Sequence, residues 1–184
     1  MPTVYATALW VFGHLAKLQK DQTVLIHSAC GVVGLASIRL CQQLGAKIFA
    51  TVGNEEKAQF LVENLGIPRN CIFSSRDSSF LPNIMRETSG RGVDVVWNSR
   101  AGKLLHISRE CLAPYGQFFE IEKRDLLAHG SLDMSPFSQN RAFYGVDLKQ
   151  LEGANWDLFE ELLQEFEDWN REGKIASIRP TKSV

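Results

Sequence analysis

The residues most suited to chemistry lie at Ala29-Cys30-Gly31-Val32-Val33-Gly34, a GxGxxG-type turn with alanine in first place. Such a turn serves phosphate binding. Gly31 lets the backbone approach a pyrophosphate, and Gly34 lets a helix pack closely on a strand. The helix start adds free N–H groups and partial positive charge. The motif carries weight here because an apolar run precedes it and a helical pattern follows. A tight turn whose glycines serve packing alone is the other reading. Ala29, Gly31, Val32, Val33 and Gly34 are the candidate contacts.

A second element should read the ribose. NAD-binding folds place an acid at the end of the second strand to hold the 2′-hydroxyl. Here that run ends Thr51-Val52-Gly53-Asn54, with no acid at its tip. Lys57 and Arg76 follow. Two cations and no acid suit a 2′-phosphate, which favours NADPH over NADH and adds Thr51 and Gly53 to the candidates. Solvated surface charge is the alternative for Lys57 and Arg76.

These residues need a scaffold, and apolar runs alternate with helical patterns along the whole chain. Strands are expected at 22–29, 46–52, 71–75, 92–99, 116–122 and 141–148. Helices are expected at 32–45, 54–66, 78–90 (disturbed at Pro82), 104–112 and 156–169, with 123–140 irregular. The last helix places Trp156, Phe159, Leu162, Leu163, Phe166 and Trp169 on one face. Apolar strands alternating with helices predict an α/β fold, a doubly wound parallel sheet of Rossmann type. The 184 residues suffice for one nucleotide-binding domain, 1–184, with a substantial core.

Composition excludes other classes. A net charge of −1 offers no field for nucleic acid or anionic membrane. No apolar run reaches the ~20 residues of a membrane span, and no signal peptide opens the chain. Cys30, Cys41, Cys71 and Cys111 form no CxxC pair, and His14, His27, His106 and His129 show no ligand spacing. No metal site is expected. The cysteines read as reduced, mostly buried thiols of a cytoplasmic protein. None of Tyr5, Tyr115 or Tyr144 has a lysine four positions on, so the YxxxK of short-chain dehydrogenases is missing.

The stretch IHSACGVVGLASIRLCQQLGAKIFATVGNEEKAQFL (26–61) resembles the enoyl reductase domain of fungal highly reducing polyketide synthases and animal fatty acid synthase, within the medium-chain reductase superfamily. SSRDSSF (74–80), GRGVDVVWNSRAG (90–102), LAPYGQFFEIEKRDL (112–126) and NRAFYGVDL (140–148) continue the likeness in order. The resemblance implies the inserted Rossmann half of a two-part reductase, without the substrate-side barrel. The chain starts at the helix before the glycine strand and ends at SIRPTKSV, near the expected return to the barrel. It implies NADPH, an α,β-unsaturated thioester on an acyl carrier protein, the other domains of a megasynthase, and a homodimer. It places Asn98 and Ser99 beside the cofactor. It matches Lys123 and Asp147 to the family's proton donor and its polar support; an inter-strand ion pair is the other reading. The isolated chain is expected to be inactive.

Three motifs depart from the family pattern. Val32 stands where a second glycine is usual, Glu122 replaces the glycine of EIGK, and NSRAGK brings in Arg100 and Lys103. Val32 is expected to crowd the pyrophosphate. Glu122 is expected to repel the cofactor, and to pair with Lys123 or Arg124 and so pull the lysine off station. The alternative function is thus a degenerate, non-catalytic reductase domain with a structural and dimerising role.

Overall fold

The protein is described by a computed structural model covering residues 2–175. The SIRPTKSV stretch lies outside the described residues. Six strands form the core: β1 (Thr23–Ile26), β2 (Lys47–Val52), β3 (Ile72–Ser74), β4 (Val93–Asn98), β5 (Leu112–Glu120) and β6 (Ala142–Gly145). They make one sheet in the order β3-β2-β1-β4-β5-β6, and every neighbouring pair is parallel. This is the doubly wound Rossmann arrangement, whose strand order reverses between β1 and β4. Val24, Leu25 and Ile26 of β1 are all fully buried, as are Val96 and Trp97 of β4 and Phe118 and Phe119 of β5. Consecutive residues of one strand face opposite sides of a sheet, so both faces must be covered.

Helices supply that cover: α1 (Pro2–Ala8), running on as a π-helical stretch (Leu9–Leu15), α2 (Val32–Gln43), α3 (Glu55–Leu65), α4 (Phe80–Glu87), α5 (Lys103–Glu110), α6 (Lys123–Leu127), α7 (Leu148–Ala154) and α8 (Trp156–Arg171). Helix α3 shows the sequence logic. Asn54 accepts a hydrogen bond from Lys57 N at its start, Glu55 and Glu56 fill its first turn, and Gly66 ends it in the left-handed region. Helix α8 closes onto the N-terminal segment. Tyr5 stacks on Phe166 at 5.0 Å, and His14 meets Glu165 at 2.9 Å. Phe12 packs on the buried Trp97 ring at 5.4 Å. Each such large side chain contributes about 1.5–3 kcal/mol by burial.

Several boundaries differ from the sequence expectation. β1 ends at Ile26 because Ser28 takes φ +50°, which turns the chain out of the sheet. Pro82 leaves α4 intact: it sits in the first turn, where no intrahelical N–H is required. β5 begins four residues early, at Leu112, with an irregularity around Pro114 and Tyr115, the latter at φ +64°. The supposedly irregular 123–140 contains α6 and a 3-10 turn, Ser135–Gln139. β6 stops at Gly145, so Asp147 is not a strand residue; its carboxylate caps α7 by accepting from Lys149 N. On α8, Phe159 and Leu162 are buried but Trp156 is 56% exposed.

Candidate functional site

The glycine turn joins β1 to α2. Gly31 N donates to Ser28 O at 2.8 Å, and Leu35 N donates to Gly31 O at 2.8 Å. The amides between them, on Val32, Val33 and Gly34, have no intrahelical acceptor at a helix start. Gly34 is held tightly: a Cβ there would stand 2.6 Å from Ser28 O and 2.7 Å from Ala29 O. A Cβ on Gly31 would meet Ser28 O at 3.1 Å. Ala29 is fully buried under the turn, Val33 packs on the core, and Val32 is 46% exposed. Ser99 Oγ, at the end of β4, donates to Ser28 Oγ across 2.8 Å and ties the turn to the neighbouring strand.

Beside the turn, at the carboxyl ends of the strands, opens a cleft of about 330 Å³. Gly31, Gly53 and Lys57 line it, with Ser28, Cys30, Val52, Ser75 and Arg100. Its lining holds two cations and no carboxylate. Arg100 donates from NH2 to Ser75 O at 2.7 Å, while its Nε is buried without a hydrogen-bond partner. Burial holds the Arg100 guanidinium below its ordinary pKa. Glycine backbone, a helix start and uncompensated positive charge fit the phosphates of a dinucleotide.

Arg76 is exposed and does not line this cleft; its backbone N donates to Ser74 Oγ at 3.2 Å. Thr51 lies beneath the site rather than in it. It is fully buried, and its Oγ1 sits 2.9 Å from His27 Nδ1. His27 Nε2 is 2.8 Å from Ser108 Oγ, which donates to Leu104 O at 2.6 Å. With the Ser108 proton committed, His27 donates through Nε2–H and accepts the Thr51 hydroxyl at Nδ1. This relay joins β1, β2 and α5. Burial first, and the Arg100 charge second, push the His27 pKa down to about 3.

Asn98 is also fully buried. Its Nδ2 donates to Arg100 O at 2.7 Å and to Glu120 Oε2 at 2.6 Å, and its Oδ1 has no partner. Glu120 Oε1 accepts from Glu122 N at 2.7 Å. Burial outweighs these bonds and raises the Glu120 pKa to about 7. Asn98 therefore shapes the end of β4 from below, and only Ser99 of that pair reaches the surface.

Lys123 and Asp147 come together. Lys123 is the first residue of α6, and its Nζ lies 2.6 Å from Asp147 Oδ2, the α7 cap. The hydrogen bond from Lys123 holds the Asp147 carboxyl below its ordinary pKa. Glu122 does not compete for the lysine. Its side chain accepts from Arg124 N at 3.1 Å and caps α6. The expectation that Glu122 draws Lys123 off station is therefore not met. Among the described residues, no group of three or more His, Cys, Asp or Glu is placed to hold a metal ion, and no helix is long and apolar enough to cross a membrane.

The family model described as zinc-binding dehydrogenase matches residues 32–167. The chain belongs to that family. Within it, the chain is of the enoyl reductase type found in polyketide synthases and corresponds to the nucleotide-binding subdomain. It is 32% identical to the nucleotide-binding subdomain of the enoylreductase domain of PpsC from Mycobacterium tuberculosis, with 96% of this chain and 97% of that one covered and a TM-score of 0.88. It is 34% identical to the CurK enoyl reductase, covering 96% of this chain and 51% of that one, with a TM-score of 0.84. It is 50% identical, over 99% of its own length, to the highly reducing polyketide synthase gloL of Glarea lozoyensis. The chain spans 7% of the length of that synthase.

For this reductase subdomain, sequence reasoning missed Arg100 as a cleft residue and Ser75 as the group that anchors it. Arg100 was visible only as a departure from a motif. It reaches the cleft because the order β3-β2-β1-β4 sets the loop after β4 across from the end of β3. His27, Ser108 and Glu120 were missed as the buried polar floor. An isolated histidine and glutamate inside apolar strands were the available signal.

Proposed function

We propose that the chain is the NADPH-binding half of a polyketide synthase enoyl reductase, acting on an α,β-unsaturated acyl thioester carried by an acyl carrier protein. The observation that carries this is the cleft at the sheet's switch point, where Gly31, Gly53, Lys57 and Arg100 converge without a carboxylate. Gly31, Gly34 and the first amides of α2 would take the pyrophosphate, and Ser99 and the end of β4 would face the nicotinamide side. A bound nicotinamide nucleotide supplies the hydride that adds to Cβ of the enoyl group. Lys123 holds a proton at Nζ and delivers it at Cα as negative charge develops on the thioester. Asp147 keeps that ammonium in place. The substrate-side domain would supply the remaining wall. β6 is an outer strand of the sheet, and pairing of two such edges would extend it across a homodimer.

The test is reduction by a polyketide synthase reductase that carries this segment beside its substrate-side domain, offered an enoyl pantetheine thioester and NADPH. Consumption of the cofactor with saturation of the thioester is expected. Intact NADPH binding without reduction would favour the non-catalytic structural role instead.

A further inference from the structure

We propose that Arg100 is a specificity-determining residue for the phosphate monoester on the cofactor's adenosine ribose, closing with Lys57 a two-cation clamp over the cleft. The inference rests on the nucleotide-binding reading above and deepens it.

The geometry comes from the sheet order. Arg100 follows β4, yet its guanidinium reaches past the ends of β1 and β2 to Ser75 O at the end of β3, 2.7 Å away. That tether puts the charge on the far side of the Gly31 turn, where Gly53 follows β2. The pyrophosphate-binding amides of α2 lie at the turn itself. Lys57 stands on the same side, in the first turn of α3. The cation therefore faces the ribose end of a bound nucleotide.

Arg100 has capacity to spare. Among the described residues its guanidinium makes one hydrogen bond, from NH2 to Ser75 O, while the side chain lines the cleft. Among the described residues, neither Arg100 nor Lys57 forms a salt bridge. Of the two acids at the start of α3, Glu55 is held by Arg69 at 2.7 Å, and neither it nor Glu56 lines the cleft. A site with two unpaired cations and no anion suits a group that itself carries close to two negative charges. A phosphate monoester does so, at about −1.5 to −2 near neutral pH. The planar guanidinium fork also matches phosphate oxygens. Arg76, the other cation that the sequence offers for this role, does not line the cleft.

The experiment titrates the 184-residue chain with NADPH, NADH, adenosine 2′,5′-bisphosphate and 5′-ADP, following fluorescence and heat. It compares the parent chain with Arg100→Leu and Arg100→Lys, each checked for cooperative thermal unfolding. Arg100→Leu should weaken NADPH and the 2′,5′-bisphosphate about tenfold or more and change NADH and 5′-ADP less than about threefold. Arg100→Lys should fall between, since it keeps the charge and loses the fork. If Arg100→Leu fails to unfold cooperatively, Arg100→Lys decides, with the same preferential loss required. Equal losses for all four ligands would place Arg100 at the adenosine 5′-phosphate that they share and overturn the proposal. Unchanged affinities, or tighter binding on removing the guanidinium, would also overturn it. A parent chain that binds none of the four overturns the nucleotide reading itself.

Discussion

Lys123 Nζ meets Asp147 Oδ2 at 2.6 Å although the two residues are 24 positions apart. The sheet register brings them together. Glu120 of β5 pairs with Gly145 of β6, and the ladder continues as Val146 N donates to Glu120 O. Lys123 opens the helix after one strand, and Asp147 caps the helix after the other. Their side chains remain 44% and 31% exposed, so solvent screens the pair and it adds less than about 1 kcal/mol to stability.

The pair should therefore matter to chemistry more than to folding. Lys123→Ala should change the unfolding free energy of this chain by less than about 1 kcal/mol. In a complete reductase it should lower kcat by roughly 10²–10⁴. Denaturant titration and turnover read the two effects separately. A large loss of stability with turnover intact would make the pair structural.

Gly34 is set by packing of the turn on the helix. A Cβ there would lie 2.6 Å from one backbone oxygen and 2.7 Å from another, neither of them the end of a flexible side chain. Gly34→Ala should destabilise the chain by about 1–3 kcal/mol, the scale of overpacking. Unfolding in urea checks this. An unchanged midpoint would mean that the turn is looser than its geometry indicates.

The family departures at Val32 and Glu122 should be mild. Val32 does not line the cleft, and the Glu122 carboxylate is occupied at Arg124 N. Exchange of a helix-capping side chain for glycine costs a few tenths of a kcal/mol. Val32→Gly with Glu122→Gly should leave NADPH affinity within about threefold of the parent. A gain of ten- to a hundredfold in the same titration would show that these residues do obstruct the cofactor.

Glu120 should make stability fall as pH rises. Its folded pKa of about 7 exceeds the ordinary 4.5, so the folded state holds the proton more tightly. Its contribution is full below about pH 4.5 and is lost as pH rises towards 7, up to about 3 kcal/mol. His27 acts in the opposite sense. Its folded pKa of about 3 lies below the ordinary 6.5, so its contribution is lost as pH falls from 6.5 towards 3. Glu120→Gln should remove the decline between pH 4.5 and 7 and leave the acid-side loss in place. An unaltered pH profile would mean that Glu120 is solvated.

The sheet was legible because strands buried on both faces are written as unbroken apolar runs, as in Val24–Ile26 and Val95–Trp97. The glycine turn was legible because its spacing follows from close approach of backbone to backbone. Less was legible where a single backbone angle decides the path. Ser28 ends β1 through a positive φ that serine rarely adopts. Asp147 reads as part of an apolar strand until its carboxylate is seen capping α7. Thr51 and Asn98 occupy expected site positions, but strand alternation turns their side chains inward to His27 and Glu120. Arg76 was an expected cofactor cation and Arg100 was not, yet Arg100 lines the cleft and Arg76 does not. Which of them reaches the cleft depends on strand order, a non-local property.

The cleft beside Gly31 should take a nicotinamide nucleotide, NADPH in preference to NADH. Equilibrium titration of the purified chain with NADPH and then NADH, following the fluorescence of the reduced nicotinamide, tests it most directly. Saturable NADPH binding with a Kd below about 1 mM, the upper end of ordinary KM values, and weaker binding of NADH are the predicted results. Absence of saturable binding by either nucleotide at millimolar concentration would rule out a nicotinamide-nucleotide site in this cleft.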